Sequence, residues 1–338
     1  MKMKRIIWAS MLLGLAAIIM PALFLKEGAA GQEAAEYEPP VPIQSQNLEV
    51  PSTVQAYESS SDAETVFSVL DGGEIREVSM ADYLPAALAA EMPVSFGSEA
   101  LKAQAVAART YIMYCTQHKN PKHPDAAICS QAGCCLAYAD EGTLRGAWGA
   151  SYDDNLEIIK AAVSSTDGQL LIYAKAPILA SFHSSSCGKT ESGSELWGDV
   201  PYLISVDSPE TAEDVPDFVT TAEVSQADFK DTILLLKPEA VFAENPAEWL
   251  GAAELDDSSR VRSIIVGGVS ITGSEMRSLF DLRSTAFTVE FKNNNFLFTV
   301  TGYGHGLGMS QYGANVMAKN GFTYKEILLH YYPDTQLQ

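Results

Sequence analysis

The spacing of apolar and polar residues predicts a mixed α+β fold for residues 64–338. The run TVFSVLDGGEIREVSM alternates as two antiparallel strands do, with turn residues at Asp71 and the two glycines after it. Two helices are predicted over 81–91 and 99–118 from the helical spacing of their apolar residues. Pro93 ends the first of them, because a residue before proline avoids helical backbone angles.

The rest of the chain continues in the same mixed pattern. The predicted elements are a helix at 153–165, strands at 170–173, 178–183, 261–269 and 286–300, and a last helix at 310–320. Residues 211–251 are variable in character, and we expect them to form an inserted or outer lobe.

The first 26 residues have the pattern of a membrane anchor. Lys2, Lys4 and Arg5 precede an uncharged, apolar stretch from Ile6 to Leu25, which as a helix spans roughly the 30 Å of a bilayer core. The positive flank indicates a cytoplasmic N-terminus, so the remainder lies outside the cell. A cleaved signal peptide is the alternative, with a cleavage site in the Ala-rich segment 28–35.

Residues 27–63 have the composition of a flexible linker. They are polar, carry several prolines and lack apolar periodicity. The expected organisation is therefore an N-terminal transmembrane helix (1–26), an extracytoplasmic linker (27–63) and one folded domain (64–338). This organisation predicts a cell-membrane protein with a single span and an extracytoplasmic domain.

The charge of the chain restricts its partners. The formal net charge is −21 at pH 7 for 338 residues. Such a surface repels the phosphates of nucleic acids, which argues against a nucleic-acid partner. Loose adhesion to other anionic polymers is disfavoured for the same reason, so binding of any such polymer requires a specific groove.

Glu91 is a candidate general acid. It is placed at the end of a predicted helix, where the negative end of the helix dipole opposes ionisation. Partial burial raises a carboxyl pKa further, and a carboxyl that stays protonated near neutral pH is what glycosidic cleavage requires. The alternative interpretation is a surface glutamate that happens to end a helix.

A short loop concentrates metal-binding side chains. They are His123, Cys129, Cys134 and Cys135. Thiolate and imidazole groups suit tetrahedral zinc, and a closed site with four ligands would be structural. A disulfide is the alternative in an external compartment, although five cysteines leave one unpaired. Spacing alone does not decide between them.

The run SFHSSSCGKTE suits a loop that lines a cleft with hydroxyls and backbone amides. Ser-rich contact with a substrate is the favoured interpretation, and a thiol nucleophile at Cys187 with His183 as its base is the alternative. Trp197 and Tyr202, just beyond, can stack on sugar rings or belong to the core.

The run GYGHGLGMSQYG follows a predicted strand and opens the last helix. It lacks the Gly-Lys-Ser/Thr ending of a phosphate-binding loop. Its glycines instead allow close approach of the backbone to a neighbour or a ligand. His305 and Gln311 are then expected to point into the site.

Taken together, the runs AAEMPVSFGSEALKAQAVAARTYIMY, SFHSSSCGKTE with WGDVPYLISV, and GYGHGLGMSQYGA with YKEILLHYYP resemble the stage II sporulation protein D family of peptidoglycan lytic transglycosylases. The resemblance covers residues 64–338 and includes the N-terminal anchor. It implies a fold around a glycan-binding cleft. It also implies cleavage of peptidoglycan strands during engulfment in endospore-forming bacteria, after a partner amidase has removed the stem peptides.

The resemblance assigns roles to residues. Glu91 is the expected catalytic acid, and Glu99 in the same motif is its rival, disfavoured because we expect it exposed and ionised on the first turn of a helix. The expected substrate-binding residues, from the family and from the two loop motifs, are Arg109, Ser184, Lys189, Thr190, Tyr202, His305 and Gln311.

The resemblance also favours zinc over a disulfide. Some members of the family bind zinc through two histidines and two cysteines in the loop after the second helix. His123, Cys129 and Cys135 match that pattern, whereas Cys134 stands where a histidine is expected. Cysteine is an equally competent ligand. A structural zinc is expected, with no cofactor needed for catalysis.

The implied reaction breaks the bond between N-acetylmuramic acid and N-acetylglucosamine and leaves 1,6-anhydro ends. A hydrolase would use a second carboxylate, for which Glu191, Glu195 and Asp199 are candidates. A non-catalytic amidase enhancer that binds glycan is the main alternative. The expected partners are glycan strands, the sporulation amidase and a polytopic membrane protein of the engulfment complex.

Overall fold

The computed structural model describes residues 60–131, 133–196 and 200–338, with the backbone alone at Glu195 and Leu196. The predicted anchor at 1–26 lies outside these residues, as does all of the predicted linker up to residue 59. Across the described ranges, no helix combines the length and the apolar character needed to cross a membrane.

The main lobe, residues 60–218 and 302–338, contains the larger hydrophobic core. Its first elements are β1 (Val66–Asp71), β2 (Glu74–Ser79), α1 (Met80–Glu91), α2 (Ser98–Gln117), β3 (Ile128–Cys129), α3 (Glu141–Trp148), α4 (Tyr152–Ser164), β4 (Leu171–Tyr173), β5 (Ala176–Pro177), β6 (Phe182–His183) and α5 (Gly193–Leu196). After the outer lobe the chain returns through β13 (Met309–Ser310), α8 (Gln311–Lys319), α9 (Tyr324–Tyr331) and β14 (Gln336–Leu337).

Helix α2 forms the centre of the main lobe. Its alanines are fully buried, and their small side chains let α1, α4, α8 and α9 pack against it. The hairpin of β1 and β2 lies beside this bundle, and β3 extends it by pairing in parallel with β1.

The outer lobe, residues 219–301, has a second core rich in phenylalanine. Its elements are β7 (Val219–Ser225), α6 (Gln226–Leu236), β8 (Leu250–Leu255), β9 (Val261–Val266), β10 (Val269–Thr272), α7 (Gly273–Leu279), β11 (Phe287–Lys292) and β12 (Asn295–Thr301). It forms two antiparallel sheets, in the orders β10-β9-β8 and β11-β12-β7. The lobe extends beyond the predicted 211–251 because the later strands share its core.

The mixed α+β prediction is confirmed. Predicted helices agree with α1, α2, α4 and α8 to within one or two residues. Helices α3, α5, α6, α7 and α9 were not predicted, and α9 follows the helix at 310–320 that was expected to be the last. Asp62 belongs to the folded domain although the pattern placed it in the linker, because its carboxylate is buried and paired with Arg109.

Candidate active site

The structure brings the three sequence runs to one place. Strand β6 of the Ser-rich run pairs in parallel with β13 of the Gly-rich run, Phe182 opposite Met309 and His183 opposite Ser310. A second contact joins Ser185 to Tyr303 through two backbone hydrogen bonds of 3.1 and 2.9 Å. The two loops therefore form one backbone framework at the start of α8.

Glycine is required where these loops touch. Gly308 has a φ of +66°, and a Cβ there would lie 2.0 Å from the carbonyl oxygen of Ser181. Gly304 has a φ of +113°, and its Cβ would lie 2.7 Å from that of His183. The Gly-rich run thus permits close packing of backbone on backbone, as its composition predicted.

The first turns of α8 pack on the loop that follows Glu91. The backbone N–H of Gly97 donates to Oδ1 of Asn315 at 2.9 Å. The rings of Phe96 and Tyr312 meet edge to face with centroids 5.0 Å apart. These contacts place Gln311, the first residue of α8, beside the end of α1.

Glu91 lies at this junction with a partly buried side chain. Burial raises its pKa to about 7, while hydrogen bonds from the Ala137 backbone N–H and the Gln311 side chain partly offset that rise. The Ala137 N–H donates to Oε1 at 2.6 Å. The carboxyl is therefore oriented and changes protonation near neutral pH.

Glu99 has the opposite electrostatics. Burial raises its pKa, but the Lys102 ammonium at 2.6 Å and the Tyr324 backbone N–H at 2.8 Å outweigh that effect and lower it. The side chain is partly buried rather than exposed as expected. Its bonds attach the start of α9 to α2, which is a structural role.

Two of the predicted substrate-binding residues, Gln311 and Ser184, lie near the junction, whereas the His305 ring lies 5.9 Å from that of His183. Gln311 is buried and donates to Glu91. Ser184 is half-buried, and its carbonyl accepts from the Tyr312 N–H at 3.0 Å. His305 is half-buried, and burial together with the nearby Arg277 and Arg260 lowers its pKa to about 3, so it is neutral.

Arg109 lies in the interior instead of lining a cleft. Its side chain is 2% exposed. It donates to both carboxylate oxygens of Asp62, at 2.6 and 2.8 Å, and to backbone carbonyls of Val163 and Gln169. This arrangement corrects the prediction of substrate contact, because every one of these bonds joins parts of the protein itself.

The other three predicted contacts are dispersed. Thr190 is buried, and its hydroxyl accepts from the Val206 N–H at 2.9 Å. Lys189 is exposed, with its ammonium 3.9 Å from the carboxylate of Asp207. Tyr202 is partly buried, and its hydroxyl accepts from the Leu179 N–H at 3.1 Å. The structure does not join these side chains to Glu91.

Glu191, a candidate second carboxylate, is buried at the contact between the lobes. Burial, followed by a hydrogen bond to Asp256, raises its pKa to about 8. The Arg260 Nε lies 3.9 Å from its Oε2. Asp199 and Trp197 are outside the described residues, as is the side chain of Glu195.

The geometry disfavours a thiol nucleophile. The Cys187 thiol donates to the carbonyl of Ser258 at 3.3 Å, and His183 Nδ1 lies 3.2 Å from the carbonyl of Leu307. Burial lowers the pKa of His183 well below its ordinary value. Both side chains are thus oriented toward backbone carbonyls.

The four Cys and His side chains of the loop after α2 converge. Their ligand atoms all lie within 4.8 Å of one another. Each of the five cysteines, all of them in the described part of the chain, carries a free thiol. Tetrahedral zinc with Zn–S near 2.3 Å and Zn–N near 2.0 Å separates its ligand atoms by about 3.3–3.8 Å. His123 Nε2 lies 3.2 Å from Cys135 Sγ, slightly closer than in such a site, and none of the four atoms is more than 4.8 Å from another, so small side-chain shifts would bring them to this geometry.

The backbone around the cluster supports a metal site. His123 Nδ1 donates to the carbonyl of Ala126 at 3.1 Å, which leaves Nε2 free to bind a metal. Hydrogen bonds among the three thiols lower the pKa of Cys129 and raise those of Cys134 and Cys135, so without a metal the thiolate is favoured at Cys129.

The cluster is adjacent to Glu91. Ala137, whose N–H binds the Glu91 carboxylate, is two residues after Cys135. Sequence reasoning missed Ala137 because its contribution is a backbone amide, which any residue except proline provides. A metal bound by Cys135 would therefore also hold a hydrogen-bond donor to the candidate acid in place.

These features define a class of site. An α+β protein of two lobes presents an oriented carboxyl with a pKa near 7, held between a Gly-rich turn and a Cys/His cluster.

A family model described as Stage II sporulation protein matches residues 71–173. Two relatives named stage II sporulation protein D are each 35% identical to this chain. The one from Bacillus subtilis (strain 168) aligns over 78% of this chain and 75% of its own, and the one from Bacillus amyloliquefaciens over 76% and 74%. An amidase enhancer from Bacillus subtilis (strain 168) is 30% identical over 73% of this chain but only 39% of its own.

The chain belongs to the stage II sporulation protein D family, as its motifs indicated, and is thus a member of a family of sporulation proteins.

Proposed function

We propose that this protein is a membrane-anchored lytic transglycosylase that cleaves peptide-free peptidoglycan strands during engulfment. The observation that carries the proposal is the Glu91 carboxyl, oriented by Ala137 and Gln311 and with a pKa of about 7. A group with this pKa can both donate and accept a proton at neutral pH, which is optimal for general acid–base catalysis.

The proposed reaction needs one carboxyl in two roles. Protonated Glu91 donates its proton to the bridging oxygen as the C1–O bond of N-acetylmuramic acid breaks. The carboxylate then takes the proton of the 6-hydroxyl of the same sugar, whose oxygen bonds to C1 and closes the 1,6-anhydro ring. The proton count balances, and no water is consumed.

The surroundings of Glu91 fit this cycle. Hydrogen bonds from Ala137 and Gln311 stabilise the carboxylate formed after the first transfer, and burial favours the acid that begins it. Hydrolysis would need a second carboxylate to activate water. Of the candidates, Glu191 is engaged with Asp256 of the outer lobe, which favours the lytic route.

The test is cleavage of purified peptide-free strands by two matched variants. Glu91→Gln keeps the size of the side chain and removes the transferable proton, so the rate should fall at least about 100-fold while binding of strands persists. Glu99→Gln is the control and should keep the rate within a few-fold. Full activity of Glu91→Gln contradicts the assignment, and loss of activity in Glu99→Gln alone moves it to Glu99.

We also propose that His123, Cys129, Cys134 and Cys135 hold a structural zinc ion. Bound there, zinc would supply a cross-link within a loop that has few apolar residues of its own. The mutual approach of the four ligand atoms supports this site. The proton transfers are assigned to Glu91 and do not use it.

Membrane attachment and partners complete the proposal. The apolar run 6–25 after a basic N-terminus supports a retained anchor, and the polar segment behind it gives the domain reach toward the wall. The wall-directed partners are glycan strands and, from family membership, the sporulation amidase and a polytopic membrane protein of the engulfment complex.

A non-catalytic role is the second candidate, because one relative is named an amidase enhancer. In that case the protein binds glycan without cleaving it and raises the activity of an amidase. Binding of bare strands without any cleavage by the wild-type protein, together with stimulation of a sporulation amidase, would favour this function.

A further inference from the structure

Glu210 is a buried carboxylate outside the group that contains Glu91. It is 3% exposed and belongs to the segment between α5 and the outer lobe. Its Oε1 accepts from the backbone N–H of Ser186 at 2.6 Å and from the Ser310 hydroxyl at 2.5 Å. Its Oε2 accepts from the Ser208 hydroxyl at 2.6 Å.

The Glu210 carboxylate determines which hydroxyls donate among the side chains hydrogen-bonded to it. A carboxylate only accepts, so both serine hydroxyls donate to it. The Ser208 oxygen, 2.8 Å from the Tyr331 hydroxyl, is then left to accept from that tyrosine. Glu210 thereby joins the Ser-rich loop, α9 and the beginning of α8.

Ser310 transmits this contact to α8. It is the N-cap of the helix, and its oxygen accepts from the Gly313 N–H at 3.1 Å while its proton goes to Glu210. Gly313 allows the approach, since a Cβ there would lie 2.6 Å from Oε2 of Glu210. The residue after Ser310 is Gln311, whose side chain donates to Glu91.

We propose that Glu210 is a positioning residue, which holds the first turn of α8 so that Gln311 reaches the Glu91 carboxyl. A buried carboxylate bound by charge-assisted hydrogen bonds is stiff, since any displacement leaves it without donors. The significance of this position for cleavage rests on the proposed role of Glu91. The structural link between Glu210 and Glu91 does not rest on that role.

The test is a double-mutant cycle read out on Glu91 itself. The pKa of Glu91 is measured by carboxyl ¹³C NMR in the full-length protein in detergent micelles, assigned by comparison with Glu91→Gln. Gln311→Ala removes a donor to the carboxylate and should raise this pKa by about 0.5–1 unit. Glu210→Gln should raise it in the same direction, because α8 is no longer held.

Non-additivity distinguishes positioning from a general structural effect. If Glu210 acts through Gln311, Glu210→Gln should change the pKa of Glu91 little once Gln311 is already alanine. Equal shifts in both backgrounds, or none in either, overturn the proposal. Glu213→Gln, an exposed carboxylate of the same segment, is the matched control and should leave the pKa unchanged.

Two further measurements complete the test. If Glu210→Gln does not fold, Glu210→Asp takes its place in the cycle, because it keeps the charge but withdraws it from Ser310, and the same two outcomes apply. Cleavage is measured in parallel, where the alkaline limb of the pH–rate profile should move with the pKa of Glu91. A coupled pKa without any cleavage by the wild-type protein would refute the proposed function and leave the positioning role intact.

Discussion

Two carboxyls of one motif differ in protonation because their immediate partners differ. Glu91 has two hydrogen-bond donors and no cation among the groups that shift its pKa, so burial prevails and the pKa rises to about 7. Glu99 has the Lys102 ammonium at 2.6 Å, which stabilises the ionised form. Environment thus separates a candidate acid from a structural anion.

The raised pKa of Glu91 predicts how stability depends on pH. Between pH 4.5 and about 7 the folded state retains a proton that the unfolded state has lost, so stability falls as pH rises through this interval. Glu91→Gln cannot ionise and should melt several degrees higher than the wild type above pH 7, since each kcal/mol changes the melting temperature of a domain of this size by about 2–4 °C. Near pH 4 the two melting temperatures should coincide.

Calorimetry from pH 4 to pH 8 measures this difference. Glu99→Gln is the control and should show the opposite sign, with lower stability than the wild type at neutral pH, because it removes a favourable ion pair. A pH-independent difference for Glu91→Gln would mean that folding does not raise the pKa of this carboxyl.

Single residues show where sequence reasoning succeeds and where it fails. Glu91 could be predicted as a candidate because helix ends follow from the residue pattern, and in the structure burial raises its pKa. Arg109 was assigned to the cleft because its motif says nothing of Asp62, which lies 47 positions earlier in the chain and neutralises it. Ala137 could not be predicted, since its backbone N–H is the donor and almost every residue type has one.

At the scale of elements, the loop between α2 and α3 depends on its Cys/His cluster. Among its described residues, which leave out position 132, it contains β3, only two residues long, and no other strand. We expect the purified protein to contain one zinc ion per chain. Cys135→Ser should lose it, because three remaining ligands hold a structural zinc weakly.

Metal analysis and thermal unfolding test this expectation. Removal of zinc by a chelator should lower the melting temperature, whereas a reducing agent alone should not. Cys187→Ser, which removes a half-buried thiol outside the cluster, is the control and should retain the metal. Destabilisation by the reducing agent without any bound metal would instead indicate a disulfide.

Helices were predictable in proportion to their apolar periodicity. Helix α2 is predictable because alanine and larger apolar residues recur at helical spacing along its whole length. Its start was misplaced by one position: Ser98 lies inside the helix, and the preceding Gly97 is fixed by Asn315 of α8, a contact between distant parts of the chain. Helix α3 was not predicted because it buries a single residue, Leu144, and one residue gives no apolar periodicity.

At the scale of the molecule, a buried ion pair attaches the segment before β1 to the central helix α2. Asp62 binds Arg109 of the central helix through both carboxylate oxygens, and its backbone N–H donates to Asp167 at 2.8 Å. Removal of one partner leaves a buried charge without compensation. Asp62→Asn should therefore lower the free energy of unfolding by about 3 kcal/mol.

Denaturant unfolding of Asp62→Asn checks this value, and cleavage per folded molecule should stay near the wild-type level. The control is Glu141→Gln, which breaks the exposed pair with Arg145 and should cost less than about 1 kcal/mol. Loss of activity in a fully folded Asp62→Asn variant would contradict a purely structural role for Arg109 and support substrate contact.

The arrangement of the two lobes was only partly accessible from the sequence. An outer lobe was expected, but its extent to residue 301 depends on strand pairing between β7 and β12, which are far apart in the chain. The junction at Glu91 likewise depends on α8, which follows the whole outer lobe in the chain and packs against α2. Local patterns predict such elements and leave their pairing open.

The most direct test of the central claim is mass spectrometry of the products that the wild-type protein releases from peptide-free glycan strands. A lytic reaction at Glu91 predicts fragments that end in 1,6-anhydro-N-acetylmuramic acid, lighter by one water than hydrolytic fragments. Reducing-end N-acetylmuramic acid would contradict the lytic mechanism and require a second carboxylate. Intact strands, bound but uncut, would contradict the assignment of an enzyme.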